Sequence, residues 1–371
     1  MQPGPGALQR VIEETVRPAA PQVDVSGDFP KRSIEALAEA GLLGLTVRPP
    51  VGPGGSLAEA AEVVRSLAGA CGSTAMVVLM HYAATAVIDR YGTEDLRKAI
   101  ASGEHLTTLA FSEVGSRSHF WAPMGTASMK ANHVELNGHK SWVTAAGEAD
   151  SYVWSSRPLE ADGPMSMWLV PADARGLSEP GRFDGFGLRG NRSAPITADR
   201  VEVSPDAMLG ADGAGLDIAL AEVLPTFLVL SGAFSVGLME AVTAETGVHL
   251  TSTRLEHLGQ SLADVQLTRV DHARMRIATD QAAALLSDTL AALESGREDA
   301  MLRVLEIKAA AGEAAATVTD LAMKVCGGSA YRKELGIERR FRDARAARVM
   351  APTTDALLDF VGRAINGMPL L

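Results

Sequence analysis

The chain has 371 residues, of which 47% are apolar and 21% are charged, with two cysteines and a net charge of −11. This composition is typical of a globular protein with two or three lobes, and its acidity disfavours a general nucleic-acid binder. Cys71 and Cys326 lie far apart without metal-ligand spacing, so we expect neither a bound metal nor a disulfide framework. No run of about 18 uncharged apolar residues and no secretory signal are present, which predicts a cytoplasmic protein without a membrane span.

Helical periodicity dominates the first hundred residues. An amphipathic segment over 33–41 ends at a glycine, and the segments 57–70 and 75–91 place apolar residues at the same spacing. The stretch 49–55 is rich in proline and glycine and predicts a long loop. We therefore assign residues 1–105 to an N-terminal helical domain.

The middle of the chain has the composition of a sheet. All four tryptophans, Trp121, Trp142, Trp154 and Trp168, fall within 48 residues. Short aromatic and β-branched segments surround them, at 133–136, 141–144, 151–154 and 167–170. The pair Asn137-Gly138 predicts a turn between two such strands. Residues 106–208 are therefore predicted to form an antiparallel β domain.

Proline is unevenly distributed along the chain. Fifteen of the 18 prolines occur at or before Pro205, and the 126 residues between Pro225 and Pro352 contain none. Because proline in a helix interior costs about 3 kcal/mol, this interval predicts long packed helices. We assign residues 209–371 to a C-terminal helical bundle, which completes an α+β fold of helices, sheet and helices.

Several segments carry more specific motifs, in a fixed order. They read YGTE and ASGE before the β domain, LAFSEVGSRS over 109–118, NGHKSWVT over 137–144, GLRGN and LGADGAG over 187–191 and 209–215, and CGGSAY with RDAR between 326 and 345. In this order the motifs resemble those of the acyl-CoA dehydrogenase family over nearly the whole chain. The resemblance implies an FAD-dependent oxidoreductase that assembles as a dimer of dimers.

The resemblance also implies which residues contact FAD. Phe111 and Ser112 would meet the pyrimidine edge of the flavin, Trp142 would cover the ring, Thr144 would lie near N5, and Ser118 would donate to the pyrophosphate. Further cofactor contacts would come from Thr353 and, across a subunit boundary, from Arg254, Gly327 and Gly328. The alternative is purely structural: Ser112 and Thr144 as strand residues, Trp142 as core, and the glycine pair as a helix C-cap.

The position of the catalytic base departs from the family pattern. Alignment on the RDAR motif brings the usual glutamate onto Ala351, and the alternative family position falls on Phe227. Neither side chain can accept a proton. Asp355 and His119 are substitute candidates, although Asp355 also suits a helix N-terminus and His119 a loop hydrogen bond. His81 in an apolar helix and Glu113 in the flavin loop are more readily explained as structural residues.

Three functions remain open at this point. The chain oxidises an acyl thioester or another small organic substrate by hydride transfer to flavin, or it is a monooxygenase or N-hydroxylase that uses O2 through a flavin C4a-peroxide, or it is a non-catalytic flavin-binding homologue. The substrate would be free or attached to coenzyme A or a carrier protein. The electron acceptor would be a flavoprotein, or O2 with a flavin reductase. A local charge of +4 between Arg332 and Arg348 suits either phosphate binding or ion pairs.

Overall fold

Helices, strands and helices follow one another in the computed structural model, which describes residues 3–4, 6–116 and 119–370. This order confirms the predicted fold class. The first strand begins at Thr107, and the last strand of the middle part ends at Val203.

The first lobe is built around one buried helix. In the described chain, the helices before the first strand are α1 Ala7–Val11, α2 Arg17–Ser26, α3 Lys31–Glu39, α4 Leu57–Ala68, α5 Gly72–Tyr91 and α6 Glu94–Ser102. Helix α4 begins with a capping box, in which Ser56 and Glu59 each accept the other's backbone N–H. Helix α5 is buried over nearly its whole length and forms the centre of the lobe.

Two sheets form the middle part. The strands are β1 Thr107–Ala110, β2 Thr126–Met129, β3 Val134–Val143, β4 Ser151–Ser156, β5 Ser166–Pro171, β6 Leu177–Ser178 and β7 Ala194–Val203. They pair in the orders β1-β4-β5 and β2-β3-β7-β6. All of these pairings are antiparallel except β1 with β4, which is parallel. Between these two strands the chain builds β2 and β3 in the other sheet, and so long a connection allows a parallel return.

The predicted turn at Asn137-Gly138 is wrong. Both residues lie inside β3, where the register against β7 shifts between Leu136 and Gly138. The Asn137 side chain accepts the Arg200 N–H at 2.8 Å. A Cβ at Gly138 would come within 3.3 Å of the Gly125 Cα, so this glycine serves a bulge and a close backbone approach.

Long helices fill the proline-free interval. The described helices of this lobe are α7 Gly215–Ile218, α8 Leu224–Ser252, α9 Gln266–Ser295, α10 Ala300–Cys326, α11 Ile337–Ala344, α12 Ala346–Val349 and α13 Thr354–Ile365. A short hairpin of β8 Arg254–Leu255 and β9 Gln260–Ser261 interrupts them. Helix α8 packs so closely on α4 that a Cβ at Gly237 would lie 1.9 Å from the Arg65 carbonyl oxygen.

The helical stretch Gly215–Ser252 is long and apolar enough to cross a membrane, with a mean hydropathy of 1.7 in its most apolar window. It contains no run of about 18 uncharged residues, because Glu222 and Glu240 bound its longest uncharged run of 17 residues. Within the structure, 72% of that window is buried. This is the burial of a core helix.

Polar contacts of α11 join the three lobes. The Asp343 carboxylate accepts the Leu188 N–H at 2.6 Å, and Arg342 pairs with Asp24 at 2.6 Å. Arg340 pairs with Glu245 at 2.6 Å. Much of the basic segment between Arg332 and Arg348 is thus engaged in ion pairs within the chain.

Candidate active site

One cavity of about 910 Å³ lies where the three lobes meet. Helix α5 contributes Met80 and helix α8 contributes Phe227 to its wall. Its volume is within the range of small-molecule and cofactor sites. The lining includes most of the residues that the sequence singled out: Phe111, Ser112, Glu113, Trp142, Thr144, Phe227, Ala351, Thr353 and Asp355.

Backbone pairing brings Ser112 and Trp142 together. The segment after β1 runs beside β3, so that the Ser112 carbonyl oxygen accepts the Ser141 N–H at 2.9 Å. Thr144 lies just after the end of β3, and its Oγ1 is 3.4 Å from Ser193 Oγ. The cavity lining therefore includes four hydroxyl side chains from this region: Ser112, Ser141, Thr144 and Ser193.

An aromatic pair forms another part of the wall. Trp142 is 60% exposed, unlike the fully buried Trp154 and Trp168. Its ring stacks on Phe183, with 4.1 Å between centroids and 31° between planes. An exposed indole at a cavity wall provides the apolar face that a flat ring system needs.

These residues fit the flavin ring of FAD. The cavity combines a stacked aromatic wall with the hydroxyl groups of Ser112 and Thr144. Arg192 also lines the cavity, but carboxylates engage its guanidinium: Nη1 lies 2.5 Å from Glu179 Oε1, and Nε lies 3.6 Å from Glu148 Oε1.

Neither of the two positions onto which the family resemblance aligns the base carries a proton acceptor. Ala351 follows α12 and Phe227 belongs to α8, and both line the cavity. A methyl group and a phenyl ring therefore occupy this wall.

Two carboxylates line the cavity among the described residues, Glu113 and Asp355. Glu113 is buried and held: its Oε1 is 2.6 Å from Lys140 Nζ, and its Oε2 accepts the Gly125 N–H at 3.0 Å. Burial lowers the pKa of Lys140 to about 8, although the charge of Glu113 opposes this shift. Asp355 is exposed in the first turn of α13, whose N-cap is Thr353.

Other predicted site residues lie outside the cavity lining. His119 is exposed, with Nδ1 3.1 Å from the Ser116 carbonyl oxygen. Arg254 is exposed in β8, and Gly327 and Gly328 are exposed in the turn after α10. Ser118 falls outside the described residues.

His81 is a core histidine. It is fully buried, its Nδ1 accepts the Thr107 N–H at 3.1 Å, and its Nε2 donates to the Leu43 carbonyl oxygen at 3.2 Å. Burial lowers its pKa to about 4, so the ring is neutral near pH 7. It does not line the cavity.

Two residues of this region were missed in the sequence. Phe183 lies in a glycine-rich loop without a periodic pattern, so nothing along the chain connects it to Trp142. Lys308 lies in the helical segment 301–311, where its lysine among mostly apolar residues is the one feature that could have singled it out. Its Nζ lies 6.0 Å from the centroid of the Phe227 ring.

Comparison with known proteins covers all three lobes. Family models for the acyl-CoA dehydrogenase N-terminal, middle and C-terminal domains match residues 6–104, 108–201 and 213–366. The human mitochondrial short-chain specific acyl-CoA dehydrogenase is 27% identical over 352 residues, which cover 92% of this chain and 84% of the human protein.

Solved structures show the same fold. Butyryl-CoA dehydrogenase from Megasphaera elsdenii superposes with a TM-score of 0.90 at 21% identity, covering 97% of this chain and 96% of the other. The prolyl acyl carrier protein oxidase AnaB superposes with a TM-score of 0.87 at 20% identity, covering 97% of each chain.

Proposed function

The chain belongs to the acyl-CoA dehydrogenase family of FAD-dependent oxidoreductases, and we propose that it oxidises an acyl thioester or a similar small organic substrate without a base at either usual family position. The supporting observation is the cavity itself. It combines the residues expected to contact the flavin with Ala351 and Phe227 in place of the expected carboxylates.

In this proposal Phe111, Ser112, Trp142 and Thr144 hold the flavin ring, with Thr353 on the side of the C-terminal lobe. Bound FAD supplies the acceptor for a hydride. The stacked rings of Trp142 and Phe183 exclude water from one side, and the hydroxyls of Ser112 and Thr144 orient polar ligand atoms. Arg254, Gly327 and Gly328 would contact FAD held by a second copy of the chain, as the family resemblance implies.

The proton acceptor in this proposal is Asp355. Glu113 is unsuited to the role because Lys140 and a backbone amide already engage its two oxygens. Asp355 lines the same cavity and has an exposed carboxylate that can receive a substrate proton. One C–H bond then loses its proton to Asp355 while the adjacent carbon loses a hydride, so the product is lighter by two hydrogens.

Oxygenation is a second candidate. It requires no carboxylate at position 351, and the apolar pair of Ala351 and Phe227 favours it to that extent.

The group that carries the substrate could belong to either of two classes. The human relative is named for an acyl-CoA substrate, whereas the structural neighbour AnaB is named for a carrier-protein substrate.

The decisive experiment mixes the FAD-loaded protein anaerobically with a panel of acyl-CoAs and acyl carrier proteins. We expect flavin absorbance to bleach and the product to lose two hydrogens. For Asp355→Asn, the bleaching rate should fall about 100-fold or more, the usual contribution of a general base. The exposed Asp359→Asn on the same helix is the matched control and should react normally.

Two results would overturn the proposal. If the flavin is reduced only by a separate reductase and the product gains an oxygen atom, the chain is an oxygenase. If Asp355→Asn reacts as fast as the unaltered protein, Asp355 is not the proton acceptor.

A further inference from the structure

Lys308 lies in α10 as a buried amino group, 1% exposed, close behind the cavity wall, and burial lowers its pKa to about 7. No carboxylate forms an ion pair with it among the described residues. An isolated ammonium in such a place is costly unless hydrogen bonds satisfy its three donors.

Three backbone carbonyl groups satisfy them. Lys308 Nζ donates to the carbonyl oxygens of Ala347 at 3.1 Å, Met350 at 3.0 Å and Pro352 at 2.8 Å. All three belong to the segment 347–352, which includes position 351. The amino group therefore fastens the backbone on both sides of Ala351.

The rest of this face of α10 holds the same segment. A Cβ at Gly312 would lie 3.4 Å from the Ala347 Cβ, so a glycine there permits close approach. The Ala316 carbonyl oxygen accepts from Arg345 Nη1 at 3.0 Å. Residues 308, 312 and 316 are spaced by four and share one helix face. Glu313, beside them, pairs with Arg348 at 2.7 Å.

The segment meets the cavity as well as α10. Met350, Ala351 and Pro352 line the cavity, and Lys308 binds carbonyl groups of two of these three residues. We propose that Lys308 is a positioning residue, whose three hydrogen bonds fix the backbone of 347–352 and so set where the side chain at position 351 lies in the cavity. This rests on the proposed function only in taking the cavity as the reaction site.

A reporter thiol tests this without any reaction of the flavin. In Ala351→Cys, the alkylation rate reports how position 351 is presented, since Cys71 and Cys326 are buried. We expect Lys308→Met to change that rate about tenfold, and hydrogen exchange over 346–353 to quicken by a similar factor, as in local opening. Lys308→Arg, which keeps a cation with several donors, should restore part of the difference. Lys324→Met removes the other lysine of α10 and its 2.7 Å ion pair with Asp271, outside the segment 347–352, and is the control for general destabilisation.

The outcomes separate positioning from general support of the core. If Lys308→Met lowers the melting temperature but leaves both the thiol rate and the local exchange unchanged, the proposal is wrong. Lys308→Gln, with two donors, replaces Lys308→Met if the latter does not fold. The unaltered protein offers a further check: exchange over 346–353 as fast as in the loop 49–54 would contradict a fixed segment. None of these readouts depends on catalysis, so a failed dehydrogenase assay would not decide them.

Discussion

Phe227 and Ala351 line the same cavity, one from helix α8 and the other from the segment after α12. The two positions onto which the family resemblance aligns the base thus line one cavity, and both are apolar. Neither position supplies a carboxylate. The effect of a carboxylate there can be tested by introducing one at position 351.

In the Asp355→Asn background, Ala351→Glu should provide a proton acceptor at this wall. There we expect the anaerobic rate of flavin reduction by acyl-CoAs to rise about 100-fold, at the lower end of what general bases contribute. Ala351→Gln has nearly the same shape but accepts no proton, so it should give no increase. Stopped-flow absorbance measures both, and equal rates for the two variants would show that the missing carboxylate does not limit the reaction.

Trp142 should contribute to FAD binding through its exposed ring. It stacks on Phe183 at the cavity wall, and an aromatic contact contributes about 0.5–1.5 kcal/mol beyond burial. Trp142→Ala is expected to weaken FAD affinity about tenfold in a fluorescence titration. Trp121→Ala removes an indole that packs on Phe360 and lies outside the cavity lining, and it should bind FAD normally. Equal losses in the two variants would argue against a flavin contact at Trp142.

The buried pair of Glu113 and Lys140 should support folding more than catalysis. Glu113→Gln leaves the Lys140 ammonium in the core without its carboxylate, which costs about 3–5 kcal/mol in the free energy of unfolding. The exposed pair of Glu94 and Lys98 provides a control, because Glu94→Gln should cause no measurable change. Urea unfolding measures both variants, and a small loss in Glu113→Gln would mean that Lys140 tolerates burial without its partner.

The order of helices and strands and much of the cavity lining could be predicted from the sequence. Proline and tryptophan placement divided the chain into helices, sheet and helices because those residues act on local backbone geometry and packing. The ordered motifs predicted Phe111, Ser112, Trp142 and Thr144, which the fold brings to one cavity. Contacts between segments that are distant along the chain could not be predicted, because local sequence patterns do not record them. Phe183 meets Trp142 only through the loop before β7, and Lys308 meets Pro352 only because α10 packs on that segment.

The predicted FAD contacts outside the cavity lining were harder to place from the sequence. Arg254 and Gly327 lie outside the cavity lining of their own chain, and their predicted contact with FAD depends on a second copy of the chain. The turn prediction was also wrong. The pair Asn137-Gly138 is typical of hairpin turns, but here it forms a bulge inside β3. There the competing influence is tertiary packing, which no local pattern records.

Two buried groups should give opposing pH dependences of stability. Burial lowers the pKa of His81 to about 4, so between pH 4 and 6.5 the unfolded chain binds more protons and stability rises with pH. Burial raises the pKa of Asp343 to about 6, so between pH 3.8 and 6 the folded chain binds more protons and stability falls as pH rises. Each contribution amounts to about 3 kcal/mol, and over their shared window they largely cancel.

Single variants separate the two. In Asp343→Asn the opposing group is gone, so we expect the unfolding free energy to fall about 2 kcal/mol more than in the unaltered protein between pH 6.5 and 4. His81→Gln keeps one donor for Leu43 and one acceptor for Thr107. In this variant the unfolding free energy should decrease less between pH 6.5 and 4 than in the unaltered protein. Urea unfolding at several pH values gives these differences directly, because titrations common to all variants cancel. Parallel curves for the two variants would mean that neither group keeps its shifted pKa in the folded chain.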